Sequence, residues 1–216
     1  VNAYSGGTTV NAGTLRVTGG TLGNGVLTAD GGDFRLEGGT VTSADWETYR
    51  NSVVTQTGGT MNHGFYFQSG NTRFDLTGGS SGCSGEALLG FYGGTNVTVN
   101  IGGTHVSDWL AARFSGGQVI MNLSTGGTLR VDELSNTGAS GLIRFDGGTL
   151  AVSSRQPGRT PGDWIKAGNG VAIADGGAVI DTANGSVAIN RPLLQDGASV
   201  GGLTKTGDGI LYSAAG

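Results

Sequence analysis

Ile143-Arg-Phe-Asp-Gly-Gly-Thr-Leu150 carries the pattern that decides the fold. Apolar and polar residues alternate over its first four positions, the period of a strand with one buried face. Two glycines then close it. The same arrangement recurs in Phe34-Arg-Leu-Glu37, Thr72-Arg-Phe-Asp-Leu76, Val97-Thr-Val-Asn-Ile101 and Val119-Ile-Met-Asn-Leu123. Gly-Gly pairs that end such a strand begin at 19, 38, 58, 78, 102, 126, 147, 176 and 201. The steps between them are 19, 20, 20, 24, 24, 21, 29 and 25 residues, close to 23 on average. A repeat of this length in a glycine-rich chain without helical periodicity is the signature of a solenoid. The fold class expected is all-β: a parallel β-helix of about nine coils of 19–29 residues, one domain over 1–216.

Stacking explains why one coil needs the next. A single coil can neither bury its inward face nor satisfy its strand amides and carbonyls. A neighbour ~4.8 Å along the axis does both, so about nine coils give a rod on the order of 45 Å long. Inward ladders are expected from Leu15, Val17, Phe34, Leu36, Val53, Phe74, Leu76, Val97, Val99, Ile101, Met121, Leu123, Leu129, Val131, Ile143, Phe145, Val171, Ile173, Val187 and Ile189. Arg35 with Glu37, Arg73 with Asp75 and Arg144 with Asp146 are expected outside, where ion pairs tune solubility rather than hold the rod. The glycines belong at corners, where positive φ makes them the least costly residue. Ser43 to Asn51 and Asp108 to Phe114 are the best helical candidates. Three stretches break the period and read as loops leaving the rod: Ser43–Ser52, Ser80–Tyr92 and Ser153–Lys166.

Composition narrows the class further. Glycine supplies 45 of 216 residues, yet three prolines and no Gly-X-Y period exclude collagen. Hydrophobic residues at 36% argue against disorder. Charged residues are sparse at 13%, and the net charge of −4 leaves no electrostatic footprint for nucleic acid. One cysteine, Cys83, permits no internal disulfide. No apolar window is long enough for a membrane-spanning helix. The chain shows no signal-peptide pattern and does not begin with Met, so it reads as a mature piece or an excerpt of something longer.

The two ends carry a second pattern. Leu203-Thr-Lys-Thr-Gly-Asp-Gly-Ile-Leu-Tyr-Ser213 at the tail and Asn2 with Tyr4-Ser-Gly-Gly-Thr-Thr-Val-Asn-Ala-Gly-Thr-Leu15 at the head, read tail then head, make one continuous run. That run resembles the autotransporter-associated β-strand repeat, also called the passenger-associated transport repeat. The bend Ala214-Ala215-Gly216 is longer than in the family pattern. The resemblance implies a large bacterial protein, extracellular or displayed on the outer cell surface, built on a parallel β-helix. It also implies that Gly201–Gly216 of one copy completes a coil with Val1–Val17 of the next. The head-to-tail contact would then use Tyr4, Val10, Leu15, Leu203, Ile210, Leu211 and Tyr212.

Chemistry has few candidates. No phosphate-binding glycine loop and no His/Cys metal spacing is present; Cys83, His63 and His105 are isolated in sequence. No cofactor, no metal and no catalytic residue is expected. Asp75, Asp146, Asp175 and Asp181 stand at strand ends and could form the carboxylate face of a polysaccharide lyase or hydrolase. The reading favoured is that they are corner and surface carboxylates, since Asp before Gly-Gly is ordinary turn chemistry. Trp46, Trp109 and Trp164 fall in or beside the three departures. Each reads as a platform for a glycan or a neighbouring fibre, or as a side chain covering its own coil. Arg155, Arg159, Trp164 and Lys166 form a local basic patch suited to an acidic glycan or partner. The function expected is a structural fibre or spacer segment with copies of itself as partner. A glycan-binding adhesin and a glycan-cleaving enzyme are the rival classes.

Overall fold

In the computed structural model, residues 6–23, 25–43, 46–63, 65–90, 96–136, 140–153, 163–166 and 170–213 are described. Among these residues there is no helix, and every strand ladder is parallel. The strands stack in three columns around one axis. The first column opens with Thr14–Val17 and Asp33–Leu36 and continues rung by rung to Leu193–Gln195. The second runs from Thr21–Gly23 to Leu203–Thr206, and the third from Thr8–Val10 to Leu211–Ser213. The first two columns each hold nine rungs, so the chain makes eight full turns between its first and last coil.

The inward ladder of the first column is Leu15, Phe34, Val54, Phe74, Val99, Met121, Ile143, Val171 and Leu193, each the partner of the next. Its members from Phe34 to Val171 are buried. Leu15 and Leu193, on the outermost rungs, are partly covered and pack against the same core. Val54, not Val53, takes the inward position in the third coil. Val53 aligns with Arg73 on the outer rank, and its amide is held by the Asp33 carboxylate at 2.9 Å. Two adjacent valines cannot both face in along an alternating strand.

The expected glycine corners are present. The Gly-Gly pairs join the first column to the second. Gly39 has a φ of 81°, and a Cβ there would lie 2.4 Å from the Gly20 carbonyl oxygen one coil away. The stacked corners thus touch backbone to backbone and leave no room for a side chain. Asn51 holds a corresponding left-handed turn between the third column and the first, with φ of 49°, a conformation Asn tolerates better than most residues.

Both helical candidates are strands. Trp46–Arg50 lies in the third column, and Val106–Phe114 turns from the second column into the third. Their backbone groups bond to neighbouring coils, which outweighs weak local helical spacing. Two of the three supposed loops likewise lie in the rod. Ser43–Ser52 contains Trp46–Arg50, and residues 80–89 belong to Thr72–Leu89, a single strand that bends through all three columns. Of Ser153–Lys166, residues 154–162 lie outside the described residues and Asp163–Ile165 is a strand.

Candidate functional site: open rungs, outer carboxylates and a buried polar seam

The outward ion pairs form as expected. Arg35 meets Glu37 at 2.5 Å, Arg73 meets Asp75 at 2.9 Å and Arg144 meets Asp146 at 3.6 Å. Arg144 also donates to Asp196 at 2.6 Å, and that hydrogen bond holds its guanidinium above its ordinary pKa. Asp75 accepts a bond from Asn100, which in turn accepts one from Asn122, so polar side chains bridge three successive coils.

The four candidate carboxylates separate into three places. Asp75 belongs to that bridge, and Asp181 caps the amide of Ala183 at 2.9 Å. Asp146 and Asp175 do come together, with Asp196, Ser199 and Arg144, around a shallow depression of about 400 Å³. Each is engaged there. Asp146 accepts from the Gly176 amide, and Asp175 accepts from the Val200 amide, both at 3.0 Å. Carboxylates spent on turn amides and on Arg144 behave as corner residues. The described geometry sets up no acid–base pair across a sugar bond.

Two of the three tryptophans lie inside the rod. Trp109 and Trp164 are buried, and each indole finds a partner inside: Trp109 donates to Ser81 at 3.3 Å and Trp164 to the Val131 carbonyl at 3.0 Å. Each covers its own coil, so neither can meet a glycan. The Trp46 side chain, Arg155 and Arg159 lie outside the described residues. Lys166 is exposed, and its ammonium lies 3.8 Å from the Glu133 carboxylate. Among the described residues, no group of three His, Cys, Asp or Glu could hold a metal ion. No described helix is long and apolar enough to cross a membrane.

The last coil differs from all the others. Leu194, Val200, Leu203, Ile210 and Tyr212 are 46%, 87%, 39%, 54% and 44% exposed, and among the described residues only one other large apolar side chain, Val26, is exposed. Leu211 packs partly against the core. At the other end Val10 is buried, Leu15 is partly covered, and Tyr4 lies outside the described residues. Lys205 pairs with Ile180 and so occupies an inward register position on the outermost rung, its ammonium donating to the Gly207 carbonyl. An inward charge on a sheet edge deters indiscriminate strand pairing.

A feature the alternation did not reveal lies inside the rod. His63, Cys83 and Trp109 occupy one inward position on successive rungs. The Glu47 carboxylate, fully buried on the third column, meets His63 Nδ1 at 2.5 Å and accepts from the Tyr49 hydroxyl at 2.7 Å. Tyr49 also stands edge-on to Phe74, ring centroids 5.2 Å apart. His105 bonds Gly78 through Nδ1 at 3.0 Å and the Ser107 and Ser81 hydroxyls through Nε2 at 3.0 and 3.2 Å. Burial pushes its pKa below the ordinary histidine value, with the Gly78 bond acting weakly the other way. The signal available in sequence was a polar residue at an inward register position, as at Ser81 and Ser107.

Comparison with known protein families, with curated proteins and with solved structures finds no match to the chain.

Proposed function

We propose that this chain is a structural segment of an extracellular, cell-surface β-solenoid, acting as fibre or spacer, and that its last coil is covered by a further coil, supplied by the head of another copy. The observation that carries this reading is the cluster of apolar residues on the outermost rung, Leu203, Ile210 and Tyr212, beside strand edges with no neighbour among the described residues. Such edges are a template for pairing in any open sheet. The resemblance of the two ends to halves of one passenger-associated repeat points to the same partner. A coil laid on this rung must offer Lys205 an acceptor, which makes the contact selective.

Sedimentation and electron microscopy of the isolated chain test the proposal. Concentration-dependent axial assemblies, abolished by Ile210→Glu with Tyr212→Glu, are expected. Single rods at every concentration, or assemblies indifferent to those substitutions, would overturn it. The adhesin and glycan-cleaving readings draw less from the described surface, because Trp109 and Trp164 point inward and Asp146, Asp175 and Asp181 are engaged by turn amides.

A further inference from the structure

Among the described residues, buried titratable groups are concentrated in the coils of 46–114, with Asp132 one rung beyond. Trp46–Arg50 contributes Glu47 and Tyr49, and Val53–His63 contributes His63 beside the neutral Gln56. Thr72–Leu89 contributes Cys83 with Ser81, and Val106–Phe114 contributes Ser107 and Trp109, with His105 just before it. Tyr66 is the register partner of Glu47 on the next rung. Asp132, on Thr128–Asn136, is the buried carboxylate on the far side of Trp109. The charged groups Asp30 and Arg50 stand outside and pair with each other, and Asp108 accepts from Ser153. Beyond residue 118 the ladders of the first column are Met121, Leu123, Ile143, Phe145, Val171 and Ile173, with no titratable side chain.

We propose that the part of this polar seam around His105 is an acid-sensitive element: on mild acidification Thr72–Leu89 and Val106–Phe114 loosen while the dry first-column strands beyond residue 118 keep their packing. Hydrogen-bond chemistry supplies the reason. Gly78 offers His105 only a carbonyl, so Nδ1 carries the proton and Nε2 is the acceptor facing a pair of serine hydroxyls that bond each other at 2.9 Å. Protonation turns Nε2 into a donor and forces that hydroxyl pair, in which Ser81 already accepts from Trp109, to rearrange. It also places a charge where the hydrogen-bonding partners are all neutral. The depressed pKa of His105 has the matching sign. The unfolded chain takes up this proton first, so the stability it contributes is lost as pH falls below about 6.5.

Hydrogen exchange of the full chain, resolved by peptide and corrected for the intrinsic pH dependence, tests this inference independently of the fibre reading. Between about pH 7.5 and about pH 5, exchange should quicken at least tenfold in Thr72–Leu89 and Val106–Phe114. It should change less than about twofold in Gln118–Ser124, Ser140–Asp146 and Gly170–Ile173. His105→Gln should remove the difference. Uniform loss in both regions, no loss in the seam, or an acid response retained in the variant would overturn the proposal. Should that variant not fold, the regional contrast in the unaltered chain decides alone.

Discussion

The coils built from 46–114 and those built from 118–189 share one backbone plan and fill it differently. In the later coils the interior is aliphatic and aromatic: Met121 on Ile143 on Val171, with Leu123, Phe145 and Ile173 beside them. In the earlier coils, inward positions hold Gln56 on the Leu123 ladder of the first column, Ser81, Ser107 and His63 in the second column and Glu47 in the third. Both interiors are buried, because a coil supplies partners as readily as apolar cover. Gln56 donates to the Ser80 carbonyl at 2.9 Å and Trp109 to Ser81, each reaching to a neighbouring coil. A satisfied polar group inside a solenoid costs little, whereas one whose partner is removed costs much. The two regions should therefore respond differently to the same kinds of change.

The largest contrast should come from cutting the buried Glu47–His63 contact. Glu47→Ala removes the buried acceptor of the Tyr49 hydroxyl, leaves a cavity and should destabilise the chain by about 3–5 kcal/mol, read from urea midpoints. Replacing both members by apolar groups of similar size, Glu47→Leu with His63→Leu, should cost much less. A large loss in the double variant would show that the seam is needed for more than its own satisfaction. In the dry region the comparable change is Met121→Ala, a cavity expected to cost about 2–5 kcal/mol at any pH. A strong pH dependence of that cost would blur the distinction between the regions. Acidification should lower the unfolding midpoint between about pH 7 and about pH 5, and His105→Gln should flatten the curve. An unchanged slope in that variant would assign the effect to other groups. The smallest effect belongs to the outer face: Arg73→Ala removes an exposed pair with Asp75 and should cost less than about 1 kcal/mol.

What could be read from the chain follows from what repeats in it. Strand alternation and paired glycines fix the columns because each coil must turn its corner in nearly the same way. The register mark drifts where the corner itself changes. Gly103 takes the left-handed turn as the second glycine of its pair, whereas Gly126 takes it as the first. The Gly-Gly step from 102 to 126 is thus 24 residues, while the step from Val99 to Met121 is 22. Helical spacing around Trp109 misled because that strand turns a corner, which breaks strict alternation and imitates a longer period. The tryptophans read ambiguously for a related reason. Whether an indole faces in or out depends on a register that one residue of slippage reverses. The seam stayed hidden because Glu47, His63 and Cys83 lie far apart in sequence and meet only when coils stack.

Stacking in parallel register is the claim from which everything else follows, and cysteine pairing tests it most directly. In a Cys83→Ala background, Thr128→Cys with Thr149→Cys places thiols on adjacent rungs, register partners about 4.8 Å apart and within disulfide reach. Thr128→Cys with Val179→Cys places them two rungs apart, at about 9.6 Å, beyond that reach. Rapid, near-complete oxidation of the first pair and none of the second is the predicted result. Equal oxidation of both, or none of the first, would contradict the solenoid.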